Sequence, residues 1–300
     1  LRTKKSSGVG EFSDVKLLVD WAVKTGLKVV QVLPVNDTVA THTWVDSYPY
    51  AAVSVDALHP IYANIHEIGR LEDKKAQARL DKRAKELNAL TEVDYEQVMK
   101  LKTEFFKLSF EENKEAFLKG KAFKEFFKAN ENWLPDYAAF CCLRDKNNTP
   151  DFTQWGKQER MTDKELSAFV SSKAKHYDDI AIHYYIQYHL DKQLKSATEY
   201  ARDKGVVLKG DIPIGIYRNS VDAWRLPHLF NMDTQAGAPP DDFSITGQNW
   251  GFPTYNWEEM AKDGYGWWRE RMVKMADYFD VFRIDHILGF SEYGRFPGSM

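Results

Sequence analysis

The segment DVFRIDHILGF, residues 280–290, sets an arginine and an aspartate two residues apart at the end of an otherwise apolar run. Side chains on a strand alternate between faces, so Arg283 and Asp285 share one face while Phe282 and Ile284 share the other. In a closed parallel barrel the greasy face meets the surrounding helices. The last inward residues at a strand's C-terminal end then lie at the mouth, where barrel enzymes place their chemistry. A guanidinium close to Asp285 favours the charged carboxylate that a nucleophile requires. The same spacing also suits an ion pair that merely closes a strand end. Asp211, after GVVLKG (205–210), repeats the arrangement.

Four short runs read as strands, each ending in polar residues: KVVQVLPVND (28–37), YAAVSVDALHP (50–60), GVVLKGDIPIG (205–215) and YFDVFRIDH (278–286). Helical patterns precede three of them. WAVKTGL (21–27) leads into the first, HYYIQYHLDKQLKSATEYARDKG (183–205) into the third and MVKMADYF (272–279) into the fourth. Val- and Ile-rich runs alternating with helices predict parallel strands buried on both faces, an α/β architecture.

Between about Glu67 and Asn130 the chain is dense in Lys and Glu with apolar residues at helical spacing, as in VMKLKTEFFKLSFEENKEAF (98–117). It predicts an inserted helical subdomain whose charges are solvated helix faces. The expected organisation is strands one and two within 1–66, a mostly helical insertion over 67–170, and strands three and four within 171–300, with a substrate loop at 238–257.

The 300 residues are 43% hydrophobic and 14% aromatic with a formal net charge of −3, which is enough for a sizeable core. That balance offers no basic footprint for nucleic acid, and no uninterrupted apolar stretch would cross a bilayer. Neither nucleic acid nor membrane is expected as a partner. The only cysteines, Cys141 and Cys142, are adjacent and fit neither a disulfide framework nor a zinc spacing, which favours a reducing, cytoplasmic setting. The opening LRTKK, without an initiating methionine, suggests a segment of a longer polypeptide.

RIDHILGF (283–290), GDIPIGIYRNSVDAW (210–224) and APPDDFSITGQNWGFPTYNW (238–257) together resemble the 4-α-glucanotransferases of glycoside hydrolase family 77, the amylomaltases or disproportionating enzymes. The resemblance extends through SSGVGEFSDVKLLVDWA (6–22), SYPYAAVSVDALHP (47–60) and WLPDYAAFCCLRD (133–145), sparing only the charged insertion. NSVDAW, GAPPDDF and GQNWGFPTYNWEEM are similar to the branch containing the plant cytosolic disproportionating enzyme. The implied fold is the N-terminal half of a TIM (β/α)8 barrel with an inserted helical subdomain.

What the resemblance implies chemically is retaining transfer between α-1,4-glucans or maltooligosaccharides of the starch and glycogen type. Asp285 would be the nucleophile and Arg283 its orienting partner. Asp211, Tyr50, Gln248, Trp250 and His286 would contact sugar. A retaining enzyme needs two carboxyl groups about 5–5.5 Å apart. The family's acid/base glutamate comes from a later strand, and the resemblance puts it, with a transition-state-stabilising aspartate, beyond Met300. Glu292 is the only carboxylic acid close behind Asp285 and lacks that strand context. Gly294 stands where the family carries a tryptophan.

An α-1,4-glucan hydrolase on the same barrel and a non-catalytic glucan-binding fragment are the competing readings. No cofactor and no metal are expected: His176, His183 and His189 sit in an aromatic helix and read as satisfied packing residues, and His286 lacks a second histidine cluster. The half-barrel is expected to leave the VVQVL and DVFRID strands with unpaired sides, and so to self-associate.

Overall fold

A computed structural model describes residues 2–240, 242, 244–286 and 294–297. The elements that position the site are, in chain order, α1 (Val15–Thr25), β1 (Val29–Gln31), α2 (Lys74–Asn88), α3 (Tyr95–Lys119), α4 (Lys121–Ala129), α5 (Leu134–Asn147), α6 (Tyr177–Asp203), β2 (Val207–Ile212), β3 (Thr234–Ala238), β4 (Gln248–Asn249), α7 (Gly266–Ala276), β5 (Val281–Ile284) and β6 (Gly294–Pro297). Turn chemistry sets the boundaries. Gly26 adopts the left-handed conformation that stops α1 before β1, and the Asp73 and Asp94 carboxylates cap the first amides of α2 and α3.

Three parallel strands form the central sheet in the order β1–β2–β5. Val29 pairs with Val207 and Gln31 with Lys209, while Asp211 pairs with Arg283 on the other side of β2. Phe282 and Ile284 pack against the main core, as the alternation in DVFRID predicts. Within the described residues β1 and β5 each have one neighbour and one open side. Val29 and Val281, on these strands, are 51% and 46% exposed, which is unusual for strand valines.

The expected strand at 50–60 is absent. Its apolar residues are buried from Ala52 to Leu58, but their backbone groups bond elsewhere. Val53 N donates to Asp37 O, Asp37 N to Ala57 O and His59 N to Val35 O, so the segment folds back beside 35–37 with one isolated antiparallel bridge, Asn36 to Leu58. Two glutamines on α6 complete the replacement. Gln187 brackets Leu58, accepting from its N–H and donating to its C=O, both at 2.8 Å; Gln193 does the same for Asn64. Buried peptide groups need partners, and side chains serve where a ladder would have.

The charged insertion is helical, as expected, with a core of its own. Leu80, Leu87, Val98, Leu101 and Phe105 pack together with Val39, Ile61 and Ile65. Farther along α3, Phe106 and Phe110 enter the main core, so this helix ties the insertion to the sheet layer. Lys102, fully buried on α3, donates to Glu11 at 2.8 Å and to the Ile61 and Ala63 carbonyls at 2.5 and 2.6 Å. No described helix is long and apolar enough to cross a membrane.

Gly210, one residue before Asp211, has the Phe279 ring where a side chain would stand: a Cβ there would lie 2.5 Å from Cδ2. Gly210→Ala must therefore displace Phe279 or the strand end, and is expected to lower unfolding free energy by about 1–3 kcal/mol in a urea titration. Asp37 supplies a pH signature. Burial, opposed by Arg144 and by the Tyr137 hydrogen bond, raises its pKa to about 6. A carboxyl whose folded pKa exceeds its unfolded one costs stability as pH rises from about 4 to about 6, and the cost is constant above that. Asp37→Asn is expected to flatten that part of the stability profile, by on the order of 2 kcal/mol across the window, read from urea midpoints at successive pH values.

Candidate active site

The C-terminal ends of β2 and β5 bring three charged side chains together. Because Asp211 and Arg283 are register partners, the guanidinium of Arg283 sits between the two strand ends. Its NH1 donates to Asp211 Oδ2 at 2.6 Å and its NH2 to Asp285 Oδ1 at 2.6 Å. Asp285 N donates to Ile212 O at 3.1 Å, which carries the parallel ladder one residue past β5 and holds Asp285 level with the end of β2. Partial burial lowers the pKa of Arg283, but the Asp211 and Asp285 carboxylates outweigh it and keep the guanidinium firmly charged.

Exposure separates the two carboxylates. The Asp211 side chain is fully buried, while that of Asp285 remains 30% exposed. Asp211 Oδ2 accepts from both Arg283 and the Tyr50 hydroxyl, the latter at 2.9 Å, whereas its Oδ1 is buried with no partner among the described residues. Burial, and then the hydrogen-bonded Asp211, raise the Tyr50 pKa, so the phenol stays protonated and donates. Asp211 is thus clamped, and Asp285 is the carboxylate a ligand can reach.

A β-hairpin reaches His286, the residue next to Asp285. β3 pairs antiparallel with β4 and, on its other edge, with β6, Gly237 standing opposite Gly294. The hairpin delivers Trp250, whose indole N–H donates to Gln248 Oε1 at 3.0 Å and whose ring meets the His286 ring edge-on at 4.7 Å. His286 reaches that position through a left-handed backbone, φ 49°, directly after Asp285. The structure therefore gathers all seven residues singled out in the sequence: Asp211, Arg283, Asp285 and Tyr50 as one hydrogen-bonded chain, Trp250, Gln248 and His286 as a second group beside it. Glu292 lies outside the described residues.

One residue at the rim escaped the sequence reading. Tyr48 is 52% exposed and its ring packs on that of Tyr50 at 5.7 Å. Burial, and then the charge of Asp285, raise its pKa. The available signal was the i, i+2 spacing of the two tyrosines in SYPY. Among the described residues no group of three or more His, Cys, Asp or Glu side chains is arranged to hold a metal ion, and Cys141 and Cys142 are free and buried.

The 4-alpha-glucanotransferase model of glycoside hydrolase family 77 matches residues 1–299. The chain belongs to that family. It is 50% identical over 304 residues to the rice 4-alpha-glucanotransferase DPE2, covering 99% of this chain but 31% of that protein. It is 32% identical to a 4-alpha-glucanotransferase of Chlamydia muridarum, covering 96% of this chain and 53% of the relative. Among solved structures, the amylomaltase from Streptococcus agalactiae in complex with acarbose superposes with a TM-score of 0.82 at 26% identity, over 99% of this chain and 60% of that one. The α/β half-barrel reading stands, with the sheet corrected to three adjacent strands. The chain spans about a third to a half of the curated relatives' length.

Proposed function

We propose that this chain carries the nucleophile half of a retaining 4-α-glucanotransferase site acting on α-1,4-glucans and maltooligosaccharides. The observation that carries the reading is the placement of Arg283, which bonds buried Asp211 on one side and accessible Asp285 on the other. Asp285 attacks the anomeric carbon, the C1–O bond to the leaving sugar breaks, and a covalent glycosyl-enzyme forms with its ester at Asp285. The leaving oxygen takes a proton from an acid that, by the family resemblance, is a glutamate outside residues 1–300. A hydroxyl of an acceptor glucan then gives its proton to that same glutamate, attacks C1 and releases Asp285 as the carboxylate, so that configuration is retained.

The supporting residues act before and after that step. Arg283 fixes the direction of the attacking oxygen, and the Asp211–Tyr50 pair fixes Arg283. Trp250 offers an aromatic face for a sugar ring, with Gln248 and His286 as the adjoining polar groups. Covering the intermediate matters because water and sugar compete for it.

In the full-length polypeptide, Asp285→Asn is expected to fold and to bind maltooligosaccharide while losing at least about a thousandfold in turnover, on the order of 4 kcal/mol of barrier. Near-normal turnover would remove Asp285 from the role. Trp250→Ala in the same polypeptide is expected to raise the ratio of hydrolysis to transfer, measured from the products of one maltooligosaccharide. An unchanged ratio with unchanged apparent affinity would place Trp250 outside the site. Residues 1–300 alone, with open sides on β1 and β5, are expected to self-associate and to leave maltotriose unconverted. A monomer that disproportionates maltotriose would show that the acid/base group lies within these residues.

A further inference from the structure

A cavity of about 660 Å³ lies between α3, α5 and α6 and is bounded on a further side by Asp37, Val39 and His42; none of the seven site residues lines it. Its size falls in the range of small-molecule sites, roughly 300–1,000 Å³. Phe106, Phe110, Phe169, Ile182 and Ile186 supply apolar wall, and exposed Lys107 and Asp179 stand at its rim.

Most of the polar groups inside are already committed to one another. The Tyr137 hydroxyl donates to Asp37 Oδ2 at 2.7 Å, and the Val39 amide to Asp37 Oδ1 at 3.0 Å. Asp145 takes both Arg144, at 2.7 Å, and His42, at 2.9 Å. His183 differs, because it lines the cavity and hydrogen-bonds to no described residue, its ring meeting Tyr137 edge-on at 6.2 Å. The ring is half-buried and packs as the aromatic helix predicts, with its nitrogens left to solvent or a ligand. Burial, only partly opposed by Asp145, lowers its pKa to about 4, so the ring is neutral near pH 7 and offers one N–H and one lone pair.

A half-buried neutral imidazole with no protein hydrogen bond, beside apolar walls, suits a group that both donates and accepts in a small space, as a hydroxyl does. Buried Asp37 and Arg144 line the cavity together, so a charge of either sign in its interior meets a like charge as well as an opposite one, while Lys107, Lys146, Glu111, Asp178 and Asp179 stand toward solvent. We propose that this cavity binds a small uncharged ring bearing hydroxyl groups, its apolar face against Phe110 and Ile186 and one hydroxyl on His183. Pyranose sugars and phenols share that chemistry. The site is distinct from the Asp285 cluster, and its existence does not depend on the function proposed for that cluster.

Calorimetric titration of the full-length polypeptide with maltose and, separately, with phenol, read as the binding that the Thr103→Trp variant lacks, tests the proposal. The titrations use an Asp285→Asn, Trp250→Ala background, so that sugar contacts at the other site are weakened and the outcome there does not decide this one. One site per chain is expected to saturate with at least one probe, maltose identifying the sugar source and phenol alone the phenolic one. His183→Leu is expected to weaken that binding about tenfold. Thr103→Trp, on an exposed position that lines the cavity, is expected to abolish it without altering the circular dichroism spectrum. Failure of both probes to saturate, or equal affinity in the parent and the Thr103→Trp protein, would overturn the proposal.

Discussion

The site depends on one shared cation. Arg283 neutralises two carboxylates from adjacent strands, and Asp211 depends on it most: its side chain is fully buried, and a buried charge without a partner is costly. The pairing works because the parallel register puts Arg283 opposite Asp211, and because the ladder runs one bond beyond β5 to fix Asp285. Tyr50 adds a second donor to the same Asp211 oxygen, linking the 47–50 segment to the strand ends. A shift of register by one residue would turn all of this into the helix layer, since every side chain would change faces.

That arrangement needs the 50–60 segment to stay irregular, so that Tyr50 can reach across to β2. Its irregularity is maintained from a distance. Gln187 and Gln193, on one long helix, each hold a peptide unit in the stretch that follows, and Asp222 accepts from Val55 N at 3.3 Å. With those amides and carbonyls satisfied, β1 and β2 are free to pair directly with each other.

Much of this was legible from local pattern. The alternation in VFRID placed Arg283 and Asp285 on one face, and the helical spacing of residues 98–117 predicted the helix that α3 is. The false strand had a physical cause: an apolar run from Ala52 to Leu58 looks the same whether the partner of its backbone is another strand or a glutamine 129 residues away. Trp250 and His286 meet through a hairpin and a left-handed residue, and spacing alone carries no trace of that; only the family motif pointed to them. The cavity that His183 borders left no mark in the sequence, because it arises from how three helices diverge and not from any one of them.

The central claim is that Arg283 presents Asp285, and not the clamped Asp211, to an anomeric carbon. Trapping the intermediate tests it directly: the full-length polypeptide is reacted with a 5-fluoro-α-glucosyl fluoride, digested, and the labelled peptide sequenced by mass spectrometry. The account predicts one glucosyl adduct, carried by Asp285. An adduct on Asp211 or on any other carboxylate, with Asp285 unmodified, would contradict it.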